Sequence, residues 1–253
     1  MRNLKLRAGA YRFVILSRAR SKTIGRDTLR FFPSATVFVH HDEVEDYAKV
    51  VPRSQIATHG DVTSFGDLCC QALDSFDEEL LMLMDDYLQS VRSYTTRQDR
   101  LFGKPEMIEA MCLNAAECAY RAGAKLFSFP NGLPFHSDPL DPISFRTRYL
   151  PGFQGIIGRS LRHDPKLLYH TDADLCLQAL KKDHLVYVDR RMMLLFLFNE
   201  NPGGNNMLRM RDNQQANHRY LLEKWGEYAR TFFQSDEQII KRRNRRLKGR
   251  GLL

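Results

Sequence analysis

The sequence has no apolar run that approaches the ~20 residues needed to cross a bilayer. Its longest candidates, Leu80–Met84 and Met192–Phe198, have the length of buried strands. Residues 1–10 are basic, but their apolar core is too short for a signal peptide. We therefore expect a cytoplasmic protein that has no membrane segment.

Cysteine is scarce, and its spacing is unlike that of a metal site. The five cysteines include no CxxC pair, and their odd number cannot form a complete disulfide framework within the chain. Most fall in segments with helical spacing and Ala or Leu neighbours. We expect buried free thiols, which suit a reducing compartment. The cysteines are Cys69, Cys70, Cys112, Cys118 and Cys176.

Acidic residues are absent from both ends of the chain. Residues 241–253 carry seven Lys and Arg, and residues 1–10 carry three. The formal charge of +8 therefore belongs to these tails, because residues 11–240 hold 28 Lys and Arg against all 30 Asp and Glu, about −2. Such a tail can neutralise nucleic-acid phosphates. It can equally be a solvated terminus that aids solubility.

Apolar segments of strand length alternate with helical patterns in the first ninety residues. This order predicts an α/β fold with a parallel sheet and helices on its faces. In such sheets ligands bind beyond the carboxyl ends of the strands. The predicted strands are Tyr11–Leu16, Thr36–His40, Ser54–Ala57 and Glu78–Met84, and the predicted helices are Thr23–Phe32, 42–50 and Phe65–Phe76.

The second half is less regular. Residues 130–152 hold five of the ten prolines, which predicts a long irregular loop, and residues 199–206 form a Gly/Asn loop. Because no linker divides the chain, we expect a single domain over residues 1–253. The predicted helices are Pro105–Ala122, Asp172–Lys182 and Asn213–Phe233, and the predicted strands are Leu126–Phe129, Phe153–Gly158, Leu185–Val188 and Leu194–Phe198.

Asp85 and Asp86 follow directly on the most apolar predicted strand. Adjacent acids at the end of a buried strand are costly unless a cation or a proton neutralises them. One interpretation is a divalent metal site shared with a diphosphate. The other is a pair of exposed turn acids that cap the next helix.

Several short stretches resemble the GT-A glycosyltransferases, and more closely the phage and TET-associated enzymes that glycosylate hydroxymethylated DNA bases. The stretches are 14–20, 37–47, 81–87, 171–177 and 201–205. The resemblance implies a GT-A-like domain, with a mostly parallel central sheet flanked by helices. Residues 1–90 would be a Rossmann-like nucleotide-binding half, residues 91–240 an acceptor half, and residues 241–253 a basic tail.

The resemblance also implies the chemistry. The donor would be a nucleoside-diphosphate sugar, with a UDP-sugar favoured, and the cofactor a divalent metal, Mn²⁺ or Mg²⁺. The acceptor would be the hydroxyl of a 5-hydroxymethylated pyrimidine in DNA, in the host cytoplasm if a phage encodes the chain. Aromatic and cationic residues of the 130–152 loop could then expose the base; they are Phe135, Phe145, Arg146, Arg148 and Tyr149.

Residue roles follow from the same resemblance. Asp172 or Asp174 would be the carboxylate that removes the acceptor proton. Metal ligands would be Asp85, Asp86 and His218. The donor-binding residues would be Ser17, Arg18, Arg20, Asp42, Glu43, Asp85, Asp86, Gly203, Gly204, Arg209 and Arg211.

Structural interpretations stand beside these roles. Asp172 and Asp174 could be helix N-terminal acids that the dipole stabilises. His218 could be a hydrogen-bonded structural histidine. Arg209 and Arg211 could form a solvated face, and Gly203 and Gly204 a simple turn. His40, His41, His163 and His170 lack ligand-like spacing, and the sequence assigns them no role.

The chain departs from the family pattern at two points. Tyr87 stands where the metal motif usually has a third acid, so either the metal has fewer protein ligands or the dependence on metal is weaker. Residues 60–73 lack the Arg-Asn that often follows the third strand. Two other functions therefore stay open: transfer to a saccharide or protein acceptor, and nucleic-acid binding without catalysis.

Overall fold

The apolar run at Leu80–Asp85 forms a central strand of an eight-stranded sheet in the computed structural model of the protein. The structure describes residues 10–93, 104–131, 142–145, 150, 152–196 and 211–229. Described residues up to 196 belong to one compact unit, and residues 211–229 belong to a second. Within these ranges no helix is both long enough and apolar enough to span a membrane.

In the part of the first unit that the structure describes, ten strands form two sheets. They are β1 (Tyr11–Leu16), β2 (Thr36–His40), β3 (Ile56–His59), β4 (Leu80–Asp85), β5 (Leu88–Ser93), β6 (Leu126–Ser128), β7 (Ile143–Ser144), β8 (Phe153–Ile157), β9 (Tyr187–Asp189) and β10 (Met192–Phe196). The large sheet has the order β3-β2-β1-β4-β8-β6-β9-β7, and β5 pairs with β10 in the small one. Strands β1 to β4 are parallel to one another, and β8 runs antiparallel to β4 and β6. The mostly parallel sheet predicted from the sequence is confirmed.

Helices cover both faces of the large sheet. In the first unit they are α1 (Ser21–Ile24), α2 (Val44–Tyr47), α3 (Phe65–Ser75), α4 (Pro105–Arg121) and α5 (Thr171–Asp183). The second unit contains α6 (Arg211–Trp225). Alternate residues of β1 enter two different cores: Ile15 joins the core that contains α4, and Val14 joins the one that contains α3 and α5. Each such side chain stabilises the fold by roughly 1.5–3 kcal/mol. All five cysteines are free, as expected; three are buried and two are half-buried.

The prediction of a helix over Thr23–Phe32 is wrong. Helix α1 ends at Ile24, and a single 3₁₀ turn follows at Thr28–Arg30. The hydroxyl of buried Thr28 donates to the Asp85 carbonyl at 2.8 Å and accepts from the Leu88 N–H at 2.9 Å. These bonds to the turn after β4 replace a continued helix, which local spacing alone could not reveal.

The sequence analysis also did not predict β5, and it placed the bounds of β10, the partner of β5, too late in the chain. Strand β10 begins at Met192, two residues before the predicted start, and pairs antiparallel with β5, about 100 residues earlier in the chain. Strand β3 starts two residues later than predicted because a 3₁₀ turn occupies Arg53–Gln55. Both errors reflect pairing or turn geometry that a single segment does not encode.

Candidate active site

Three polar segments meet at the edge of the sheet where β1, β2 and β4 end. Ser17 Oγ donates to Asp86 Oδ2 at 2.6 Å, which joins the segment after β1 to the one after β4. The Ala19 N–H donates to Glu43 Oε2 at 2.9 Å, which joins it to the segment after β2. Ala19 has a φ of 55°, so this loop is held in the left-handed region. The structure thus brings these predicted donor residues together.

Asp86 lies beneath this edge in a buried ion pair. Its side chain is 3% exposed, and its Oδ1 pairs with Nη1 of Arg20, whose side chain is 9% exposed. Burial raises the pKa of Asp86, and the charge of Arg20 and the Ser17 hydroxyl bond offset part of that rise. The guanidinium of Arg20 therefore supplies a cation that makes an acid tolerable at this position.

Tyr47 is a site residue that the sequence reasoning missed. Its hydroxyl lies 2.6 Å from Ser17 Oγ and accepts from the Arg20 N–H at 3.1 Å. Burial raises the pKa of Tyr47 to about 12, so it stays a neutral phenol that holds the loop after β1. The acids at the start of this segment predicted the helix, but no sequence pattern indicated that Tyr47 would belong to the site.

Asp85 is half-buried, and its neighbours fix its orientation. The Tyr87 hydroxyl donates to Asp85 Oδ2 at 2.7 Å. The Asp85 N–H donates to the carbonyl of Gly152 at 2.9 Å. Gly152 has a φ of 82°, and a Cβ there would lie 2.4 Å from the ring of Phe196. Only glycine fits this support without rearrangement.

Asp172 lies in the first turn of α5 and is 8% exposed. The Leu150 N–H donates to its Oδ2 at 3.2 Å. Burial raises the pKa of Asp172 to about 7; backbone hydrogen bonds lower it, and the charge of Asp85 raises it further. Burial first, and then the charges of Asp85 and Asp172, also raise the pKa of the Cys69 thiol. The charge of Asp85 thus contributes to the pKa shifts of both Asp172 and Cys69.

Asp174 differs from Asp172 although both start the same helix. It is fully buried, and its Oδ2 accepts from Gln178 Nε2, one turn later in α5, at 2.8 Å. The Asp172 carboxylate instead accepts from the Leu150 N–H, which lies outside α5. The two acids therefore have different surroundings, and the catalytic role of either stays a prediction.

Arg18 and Asp42 are the exposed members of the predicted donor set. Among the described residues, no carboxylate pairs with the Arg18 guanidinium and no acceptor hydrogen-bonds to it. Asp42 lies beside His40 and His41 at the end of β2. Arg18 is therefore a charge that a diphosphate could use, whereas Arg20 is already paired.

The remaining predicted residues cannot be placed at this edge. Gly203, Gly204 and Arg209 lie outside the described residues, as do Phe135, Arg146, Arg148 and Tyr149 of the 130–152 loop. Arg211 begins α6, and only its backbone is described. His218 belongs to the second unit. Their roles stay predictions.

A divalent cation fits this edge in one specific way. Both oxygens of Asp86 already have partners, Ser17 and Arg20. Asp85 is closer to the surface, and the Tyr87 hydroxyl orients it, as outer-sphere groups orient metal-binding carboxylates. Mg²⁺-type sites commonly use one or two carboxylates plus substrate phosphates. The residues present therefore fit a cation held by Asp85 together with a bound diphosphate.

Comparison with known proteins finds likeness in structure alone. No protein-family model matches the sequence, and no curated protein matches it. Among solved structures, a mannosyltransferase from Pyrobaculum calidifontis, in complex with GDP-Man and Mn²⁺, has a TM-score of 0.53 at 10% identity. The match covers 76% of this chain and 58% of that one. This likeness shows the fold, so the GT-A-like expectation is confirmed.

Two further solved structures are similar at lower TM-scores. S. aureus TarS 1–349 has a TM-score of 0.45 at 10% identity, over 73% of this chain and 60% of that chain. Mannosyl-3-phosphoglycerate synthase from Rubrobacter xylanophilus has a TM-score of 0.46 at 14% identity, over 97% and 76%. The chain thus spans less than two thirds of the length of both TarS 1–349 and the mannosyltransferase.

Proposed function

We propose that the protein is a glycosyltransferase that moves a sugar from a nucleoside diphosphate to a hydroxyl acceptor. The observation that carries this proposal is the buried carboxylate of Asp172, which is held by the Leu150 N–H, while the nearby Gly152 carbonyl holds the Asp85 N–H at the end of β4. Burial raises the pKa of Asp172 to about 7, and the charge of Asp85 adds to the rise. A general base works best when its pKa is near the working pH. Clustered perturbed acids at a ligand-binding edge are typical of active sites.

The proposal gives each described site residue a role. In this proposal exposed Arg18 binds the diphosphate, and Asp42 or Glu43 contacts the base or the ribose. Asp172 takes the proton of the acceptor hydroxyl as that oxygen attacks the anomeric carbon. The carbon–oxygen bond to the diphosphate breaks, and the diphosphate leaves with the electron pair. Because binding already aligns these groups, less orientational entropy is lost on reaching the transition state, which lowers the barrier.

A bound divalent cation would neutralise charge on the departing diphosphate. Asp85 would hold it, with the Tyr87 hydroxyl behind the carboxylate. Asp86 would keep Arg20 and Ser17 in place. The metal role predicted for Asp86 would require it to give up one of these bonds, so we assign it to loop position instead. The mannosyltransferase with GDP-Man and Mn²⁺ supports a cation in this fold.

For the acceptor, we propose the hydroxyl of a 5-hydroxymethylated pyrimidine in DNA. Support for this choice is the basic tail, whose seven Lys and Arg in residues 241–253 can bind phosphates of any sequence. Saccharide and protein hydroxyls are the alternatives. The acceptor is a separate element of the proposal from the donor chemistry.

A transfer assay tests both elements. The protein is incubated with nucleoside-diphosphate sugars and Mn²⁺ or Mg²⁺, alone and with hydroxymethylated DNA, unmodified DNA, oligosaccharides or peptides. We expect release of nucleoside diphosphate and a mass increase on hydroxymethylated DNA. Asp85→Asn should lose at least about 100-fold in rate, as expected when electrostatic stabilisation of a leaving group is removed.

Glu45→Gln is the matched control, since Glu45 is exposed and pairs with Arg53 at the surface. It should keep the wild-type rate. Transfer to saccharide or peptide without labelling of DNA would reject the DNA acceptor and keep the enzyme. No release of nucleoside diphosphate from any donor, with salt-dependent DNA binding that needs residues 241–253, would favour a non-catalytic binder and reject the proposal.

A further inference from the structure

Two histidines and a carboxylate converge at the end of β2. His40 Nδ1 lies 3.6 Å from Asp42 Oδ2, and His41 Nε2 lies 3.1 Å from Asp42 Oδ1. One ligand atom from each of the three residues lies within 4.8 Å of the others. In a tetrahedral zinc site with bonds of about 2.0–2.1 Å, neighbouring ligand atoms are about 3.4 Å apart. The observed separations bracket that value.

The far nitrogen of each imidazole already faces an acceptor. His40 Nε2 lies 3.2 Å from Asp61 Oδ1, and His41 Nδ1 lies 3.4 Å from the His59 carbonyl oxygen. Metal-binding histidines usually donate their second N–H to a carboxylate or carbonyl, which directs the other nitrogen's lone pair at the ion. In the tautomer that donates to these acceptors, each ring presents the lone pair of its other nitrogen beside Asp42.

One contact competes with an ion in this cluster. The Asp42 N–H lies 3.4 Å from His40 Nδ1, beyond the usual length of an N–H hydrogen bond. A metal bond to the same nitrogen is stronger and would displace it. The two imidazoles are packed with their ring centroids 4.1 Å apart, so little rearrangement is needed to use both.

We propose that His40, His41 and Asp42 form a zinc-class metal site, separate from Asp85 and beyond the proposed function. Imidazole nitrogens favour Zn²⁺ over Mg²⁺, which prefers oxygen ligands alone. The side chains of His41 and Asp42 are 56% and 77% exposed, so solvent or a ligand can fill the remaining position. The site also borders Glu43, which holds the loop that carries Arg18. Bound zinc would stiffen that loop.

Titration of the tag-free full chain with Co²⁺ and Zn²⁺ tests the proposal. Co²⁺ should give visible absorption bands of a low-coordinate nitrogen and oxygen site, which Zn²⁺ abolishes at one equivalent and excess Mg²⁺ does not. His41→Asn and Asp42→Asn should each weaken Zn²⁺ binding at least about tenfold, and Asp61→Ala, which removes the acceptor behind His40, about tenfold.

The matched control is His184→Asn. His184 is an exposed histidine outside the cluster, at a φ of 61° that Asn tolerates, so Zn²⁺ affinity should stay at the wild-type value. Unchanged Zn²⁺ affinity in both His41→Asn and Asp42→Asn would overturn the proposal. So would an equal loss in His184→Asn, or displacement of Co²⁺ by Mg²⁺. None of these outcomes depends on transferase activity.

Discussion

Asp172→Asn should lower the turnover of sugar transfer by about 10²–10⁴-fold, because the acceptor proton loses its base. In the wild-type protein, the base works only when ionised. Since its pKa is raised to about 7, kcat should be high above that pH and fall as the pH drops through it. Rate profiles from pH 5 to 9 measure both effects. The variant should lack this limb while it still binds the donor.

Stability provides an independent check on the same residue. The folded-state pKa of Asp172 lies above the ordinary 3.8, so the folded protein disfavours the ionised form. This group's contribution to stability is complete below about pH 4 and is lost as the pH rises to 7, by up to about 4 kcal/mol. Asp172→Asn removes that loss, so its melting temperature at pH 8 should equal or exceed the wild-type value.

Asp174→Asn identifies which acid is the base. Asp174 bonds to Gln178 on its own helix, so its isosteric variant should change kcat by less than tenfold and leave the pH limb in place. If instead Asp174→Asn abolishes transfer while Asp172→Asn keeps the wild-type pH profile, the assignment of the base is wrong.

The second large effect concerns the ion pair of Asp86 with Arg20. Asp86→Ala leaves the Arg20 guanidinium buried without its carboxylate, and Arg20→Met leaves the Asp86 carboxylate buried without its guanidinium. Breaking a buried pair from one side costs about 3–5 kcal/mol. In a protein of this size, that lowers the melting temperature on the order of 10 °C. Calorimetry or thermal unfolding measures the loss.

The double variant Arg20→Met, Asp86→Leu should recover much of the loss, because apolar groups then replace both charges. Glu45 and Arg53 form the matched exposed pair, with side chains 76% and 62% exposed. Glu45→Ala should therefore cost at most about 1 kcal/mol. Equal melting temperatures for Asp86→Ala and Glu45→Ala would contradict a structural role for Asp86.

The sequence was sufficient for the parallel strands β1 to β4, but not for the irregular connections or for β7, which lies inside the predicted 130–152 loop. The continuous apolar run at β4 is buried on both faces, and β1 divides its residues between two cores, as a parallel strand should. Both patterns are set by neighbouring residues within one strand, so they can be read from the sequence without knowing the strand's partners. Strand β5 and the turn at Thr28 depend on partners far along the chain, and local spacing cannot encode them.

At the candidate site, the sequence indicated which acidic residues to consider, but it did not distinguish the structural position of one acid from that of its neighbour. Asp85 and Asp86 are adjacent in sequence, yet one lies near the surface and the other is buried against Arg20. Asp172 and Asp174 are two residues apart, yet packing gives them different partners: the Leu150 N–H donates to Asp172, and Gln178 donates to Asp174. The two adjacent histidines, His40 and His41, lack the spacing of familiar ligand motifs, so only the structure showed that they converge.

Anomalous diffraction from crystals soaked with Mn²⁺ and uridine diphosphate tests the proposed donor site most directly. We expect one Mn²⁺ peak between the Asp85 carboxylate and the diphosphate oxygens, with Asp86 still paired to Arg20. A second peak at His40, His41 and Asp42 would bear on the zinc-class site alone. An empty edge at Asp85, in crystals where nucleotide and Mn²⁺ are saturating, would contradict a donor site built around that residue.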